Sequence, residues 1–118
     1  MKRGELDDFY RSYLQRCNEH RFDELGEFVD GSVEVNGVPH DLQRYAGGLQ
    51  SVVQEYPDFH WELRHLLVDG EWLSAHLIDT YTTSAGRTAS LQELAMYRVA
   101  DGRIVQVWGD LEHSRLAR

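Results

Sequence analysis

The amino-acid sequence predicts an α+β domain in which helices pack on one face of an antiparallel sheet. Three observations predict it. The hydrophobic period is near 3.6 before Pro57 and 2 after it. Glycine-bearing turns at Asp69-Gly70, Ser84-Ala85-Gly86-Arg87 and Ala100-Asp101-Gly102 divide the second half into long segments. The helical patterns all come first and the strand patterns follow, so no strand–helix alternation asks for a parallel sheet.

Taken in order, Leu6, Phe9, Tyr10, Tyr13, Leu14 and Cys17 form one apolar stripe on a first helix. Phe22, Leu25, Phe28 and Val29 suggest a second, shorter helix, stopped by Asp30-Gly31-Ser32. Val33-Glu34-Val35 reads as a short strand and Asn36-Gly37 as a turn. A third helix is expected from about His40 to Tyr56, ended by Pro57. Gly47 and Gly48 sit inside it, each costing roughly 1 kcal/mol against alanine. That cost suggests a close packing contact or a slightly broken helix. Four strands follow: Phe59 to Val68, Trp72 to Thr83, Thr88 to Val99, and Arg103 to about Glu112. Strands of about ten residues twist and curl. Three helices across the concave face of such a sheet make a cone with an open end, a natural small-molecule pocket.

The chain has 118 residues, read as a single domain over 1–118 that can bury one core without staples. Its hydrophobic content of 42% against 27% charged residues is that of a folded chain. The formal net charge of −8 argues against a nucleic-acid partner and against an anionic membrane surface. No apolar run reaches the length of a membrane span and the first residues lack a signal-peptide core, so the cytoplasm is the expected location. Cys17 is the sole cysteine, which excludes an internal disulfide. Lys2 is the sole lysine and lies at the terminus, which argues against a buried Schiff-base mechanism. The six histidines show no ligand spacing with nearby Cys or Asp, so no zinc site is expected.

Register decides which side chains face the pocket, and the last hairpin admits two. A two-residue turn at Asp101-Gly102 pairs Val99 with Ile104 and sets Glu93 opposite Asp110. A three-residue loop with a bulge at Gly102 shifts the pairing by one and sets Leu94 opposite Trp108 and Gln92 opposite Asp110. The second is preferred, because it puts Leu94, Met96, Ile104 and Trp108 on one face and avoids two opposed carboxylates. On the first long strand Phe59, Trp61, Leu63, His65 and Leu67 share a face, with His65 the polar exception. His76 falls on the outer face if Leu73 is inside.

The segment Tyr56-Pro57-Asp58-Phe59, the hairpin Leu67-Val68-Asp69-Gly70-Glu71, Gly86-Arg87 before a strand, and the run from Tyr97 to Val105 leading to Trp108 and Asp110 together resemble the SnoaL-like polyketide cyclase family of the NTF2-like superfamily. Val35-Asn36-Gly37 is similar to its early asparagine-containing segment. The resemblance spans nearly the whole chain and implies a cone-shaped NTF2-like fold, three N-terminal helices on a strongly curved antiparallel sheet. It implies a cofactor-free enzyme that closes a ring by an intramolecular aldol reaction, with Asp110 at the position of the family's acid/base aspartate. Asn36 and Gln92 match pocket polar positions. Two departures stand out: the loop Ser84-Ala85-Gly86-Arg87 is short, and Leu94 and Met96 occupy a stretch where a pocket histidine is often found.

The expected function is therefore proton abstraction α to a carbonyl, leading to cyclisation or isomerisation of a small apolar substrate. Asp110 is the expected base; Asn36, His65, Gln92, Leu94, Met96 and Trp108 are the expected substrate contacts. The alternative is a non-catalytic module that binds a small molecule or acts through dimerisation. A homodimer through the outer sheet face is expected in either case, because the long strands are apolar on both faces and helices cover only one.

Overall fold

The computed structural model describes residues 1–109. Among them, two α-helices and a short 3-10 helix pack on a curved six-stranded sheet.

Helix α1 (Arg3–Asn18) buries Leu6, Tyr10, Tyr13, Leu14 and Cys17, the stripe its periodicity predicts. Its last residue anchors it. The Asn18 amide donates to the Trp61 carbonyl and accepts from the Trp61 N–H, both at 2.8 Å, so α1 ends pinned to a strand. The second helix is a single 3-10 segment, Phe22–Glu27, because the chain turns into strand β1 (Val29–Val35) already at Val29. Asn36 and Gly37 both take positive φ, 49° and 82°, the geometry of a tight hairpin turn. The returning strand β2 (Val38–Asp41) has no counterpart in the sequence reading and takes His40 out of the expected helix. Asp41 then caps helix α2 (Leu42–Glu55) by accepting from the Arg44 N–H at 2.7 Å. The helix runs unbroken through Gly47 and Gly48, and nothing lies within 4 Å of where either Cβ would be. Neither expected reason for the two glycines holds, and nothing in the structure explains them.

Strands β3 (His60–Asp69), β4 (Trp72–Thr82), β5 (Thr88–Ala100) and β6 (Arg103–Gly109) form the expected meander. The sheet order is β2-β1-β6-β5-β4-β3. β1 adds to β6 in parallel, so the sheet is mixed rather than purely antiparallel. Residues of β4 and β5 alternate cleanly. Leu73, Ala75, Leu77, Asp79 and Tyr81 point inward on β4, facing Glu93, Ala95, Tyr97 and Val99 on β5.

Two irregularities reverse the expected faces. β3 carries a bulge between Leu63 and His65, so Trp61 and Leu63 point inward but His65 and Leu67 point outward. At the last hairpin Asp101 and Gly102 have φ of 52° and 77° and make a two-residue turn, with Val99 opposite Ile104. One extra residue in β6 then moves the pairing on, to Arg98 with Gln106 and Met96 with Trp108. The preferred three-residue loop is not formed. The inward positions of β6 are Ile104 and Val107, three apart because of the bulge, and Trp108 faces out.

Candidate active site

The concave interior is rich in phenols. Tyr10 and Tyr13 come from α1, Tyr45 from α2 and Tyr97 from β5, and all four are buried. Tyr13 and Tyr45 share a hydrogen bond of 2.6 Å, and the Tyr10 hydroxyl donates to that of Tyr97 at 3.4 Å. The Tyr10 and Tyr97 rings pack with centroids 5.0 Å apart. Burial pushes the phenols of Tyr10, Tyr13 and Tyr97 well above their ordinary range and raises that of Tyr45. The Glu93 carboxylate adds to the rise at Tyr10, Tyr45 and Tyr97. Burial likewise pushes the Cys17 thiol up to about 12. These groups are neutral hydrogen-bond donors at physiological pH, not bases or thiolate nucleophiles.

Among the described residues, two carboxyl side chains accompany them. Glu93 on β5 is 8% exposed and Asp79 on β4 is 1% exposed. Glu93 sits opposite Leu77; Asp79 is flanked by Trp61 and Leu91 on the neighbouring strands. Beside Glu93 the inner wall is built of small residues, Ala75, Ala95 and Gly109 forming one row across β4, β5 and β6. The sequence reading missed both acids. Asp79 had a signal, since it interrupts the inward series Leu73, Ala75, Leu77, Tyr81. Glu93 belongs to the pocket face in the two-residue-turn register, the one the structure adopts.

The residues expected to touch substrate are not brought together in the interior. Asn36 is at the β1–β2 turn, where its amide accepts from the Gly109 N–H at 2.9 Å and donates to the Gly109 carbonyl at 3.2 Å. His65, Gln92, Leu94, Met96 and Trp108 lie on the outer face of the sheet, a correction that follows from the β3 bulge for His65, the β6 bulge for Trp108 and the two-residue turn for the three β5 residues. With Leu67 and Ser74, most of them line a shallow outer groove of about 400 Å³. Leu94 and Leu67 are 61% and 72% exposed there. Asp110 lies outside the described residues. Trp108, the residue that tied it to the pocket face, points outward.

His76 faces outward, as the alternation from Leu73 requires, and joins a polar chain on that face. His65 Nδ1 and His76 Nδ1 are 2.9 Å apart, and His76 Nε2 is 2.8 Å from Gln92 Oε1. The ring centroids are 5.2 Å apart with planes 15° from parallel. So long a separation with so short a nitrogen contact means that the rings meet edge to edge in nearly one plane. With the Gln92 oxygen accepting, His76 Nε2–H donates, and Nδ1 of a neutral His76 then accepts from His65 Nδ1–H. Among the described residues no cluster of three His, Cys, Asp or Glu could hold a metal. No helix among them is long and apolar enough to cross a membrane.

A family model described as SnoaL-like polyketide cyclase matches residues 7–118. The chain belongs to the SnoaL-like polyketide cyclase family. Among solved structures, this family member is similar to a SnoaL-like polyketide cyclase from Agrobacterium tumefaciens at 33% identity, covering 92% of each chain with a TM-score of 0.84. IdmH from Streptomyces antibioticus shares the fold at 20% identity and a TM-score of 0.81, with 88% of this chain and 89% of that one covered. TsrD from Streptomyces laurentii does so at 16% identity and 0.82, with 93% and 90% covered. No curated protein matches the chain. The curved NTF2-like sheet of the family is the fold found here.

Proposed function

We propose that this SnoaL-like protein is a cofactor-free enzyme that moves a proton α to a carbonyl of a small apolar substrate. The outcome is an aldol-type cyclisation or an isomerisation. The observation that carries this reading is the burial of two carboxyl side chains, Asp79 and Glu93, the second of which acts electrostatically on the phenols of Tyr10 and Tyr97. A carboxylate held inside the fold is placed to exchange a proton with a bound carbon acid. Neutral phenols beside it are suited to stabilise an enolate oxygen as it forms. The resemblance to the family nominates Asp110 as the acid/base residue, with Asn36 a pocket polar group. The membership of the family and its 33% identical relative support the reaction class.

The test uses a methyl naphthyl ketone, a flat apolar carbonyl compound with exchangeable α-protons. The protein should accelerate exchange of its methyl protons in deuterated buffer, followed by proton NMR. Exchange no faster than in buffer alone sinks the proposal.

The second reading, association through the sheet, is favoured by one observation of its own. Leu67, Leu94, Met96 and Trp108 are exposed together on the outer face. Scattered apolar residues need no explanation, but a contiguous patch rimmed by polar groups marks an interface. A homodimer through this face is compatible with catalysis inside each cone.

A further inference from the structure

We propose that Asn36 is a positioning residue for proton transfer, its side-chain amide fixing the peptide group that joins Gly109 to Asp110. The inference rests on the acid/base reading above, in which the family resemblance nominates Asp110. Asp110 itself lies outside the described residues, and the link to it is covalent. The Gly109 carbonyl and the Asp110 nitrogen belong to one planar amide.

Parallel pairing of β1 with β6 stops at Val35 and Val107. The Asn36 N–H still donates to the Val107 carbonyl at 2.8 Å. The chain then turns away through Asn36 and Gly37, at φ of 49° and 82°. From there the Asn36 side chain takes over from the backbone. Its amide carries both an acceptor and donors, as a peptide group does. It accepts from the Gly109 N–H at 2.9 Å and donates to the Gly109 carbonyl at 3.2 Å. An Asn-Gly turn uses asparagine for its tolerance of a left-handed backbone. It does not need the side chain's hydrogen bonds, and here both go to a residue 73 positions away.

Gly109 explains why such a clamp is useful. Its φ is 141°, and a Cβ there would lie 2.2 Å from the Leu94 carbonyl oxygen and 2.9 Å from the Ala95 Cα. No side chain fits, so the residue directly before Asp110 has to be the most flexible kind. Rotation at Gly109 would move everything bonded after it. A single hydrogen bond would leave rotation about its own axis. Two bonds, to backbone groups on either side of the Cα, do not. Trp108 seats the same turn from its other residue, since its indole lies 3.5 Å from where a Gly37 Cβ would be. The Asn-Gly turn and the Trp-Gly strand end therefore interlock. An acid/base group has to be held closely, because a shift of about 1 Å can cost roughly 100-fold in rate.

The experiment uses the full chain. It measures methyl-proton exchange of the naphthyl ketone, binding of naphthol (a phenol whose anion mimics the enolate) and stability in urea. Asn36→Gly removes both hydrogen bonds and keeps the positive φ without strain. It should lower exchange per folded molecule by at least about tenfold and leave naphthol affinity within about twofold. Asn36→Asp still accepts from the Gly109 N–H but cannot donate to its carbonyl. It should be more stable than Asn36→Gly and yet exchange as poorly, and it carries the test should Asn36→Gly fail to fold. Asp41→Ala removes the α2 cap and so destabilises the fold elsewhere; it should keep the parent exchange rate. A merely structural role predicts instead that exchange follows the folded fraction in all three. That result overturns the proposal, as does exchange within about twofold of the parent in a folded Asn36 variant, well short of the loss expected from misplacement. Parallel loss of naphthol binding also overturns it, because Asn36 then acts as a substrate contact. Asp110→Asn at the parent rate overturns it while the acid/base reading stands. Parent protein that exchanges no faster than buffer overturns the acid/base reading itself, and this role with it.

Discussion

The Asn36 side chain holds both backbone groups of Gly109, accepting from its N–H at 2.9 Å and donating to its carbonyl at 3.2 Å. The Asn36 N–H in turn donates to the Val107 carbonyl at 2.8 Å. One residue at a hairpin turn thus fixes the end of β6, where the small-residue row of the inner wall finishes. Asn36, an expected substrate contact, thus also clamps the strand end.

Replacing Asn36 with alanine removes two hydrogen bonds, each worth about 1 kcal/mol net. It also forces alanine into a left-handed backbone at φ 49°, at about 1 kcal/mol more. The expected loss is about 2–3 kcal/mol, read from urea unfolding. Asn36→Asp keeps the acceptor and tolerates the backbone, so it should lose clearly less. Equal losses for the two would mean that the clamp contributes little.

Glycines here should respond in opposite directions. Gly109→Ala drives a Cβ against the backbone of Leu94 and Ala95, which cannot swing aside as a side chain would. A loss of at least about 2 kcal/mol is expected. Gly47→Ala or Gly48→Ala meets open space inside a regular helix and should stabilise by about 0.5–1 kcal/mol. Thermal melts of the three single variants check the ordering.

High pH should unfold the protein through its interior phenols. The folded-state pKa values of Tyr10, Tyr13 and Tyr97 are raised above the ordinary 10.0, chiefly by burial. The folded state therefore holds these protons more tightly than the unfolded chain does. Their contribution is full below pH 10 and is lost as pH rises beyond it toward the folded values. Phenolate absorbance from these residues should appear in step with loss of tertiary signal. Smooth ionisation of every tyrosine near pH 10 with the fold intact would contradict the burial seen here.

Association through the outer face predicts that Leu94→Arg yields a monomer while the parent sediments as a dimer at roughly tens of micromolar, a concentration well above usual dimer dissociation constants. Leu94 is 61% exposed in the single chain, so the variant should keep its fold. A parent that sediments as a monomer under these conditions counts against the interface.

Local chemistry made much of the architecture legible. The α1 stripe from Leu6 to Cys17 depends only on helical period, and the long strands depend on alternation between glycine turns; both are properties of neighbouring residues. The family resemblance likewise rests on short segments in order. By itself the sequence thus determined the class of fold, the family and the kind of chemistry to expect. It did not determine which side chains meet. A strand has period two, so one inserted residue moves every later side chain to the opposite face. The bulges between Leu63 and His65 on β3 and after Ile104 on β6 each do this. They sent His65 and Trp108 outward, and with the two-residue turn at Asp101-Gly102 the inner wall of β5 became Glu93, Ala95 and Tyr97. A bulge is stabilised by pairing with a partner strand and by the packing of the whole sheet, neither of which is encoded within the strand that carries it. Tertiary structure alone therefore decided that, among the described residues, the interior acids are Asp79 and Glu93, and that Asn36 serves Gly109.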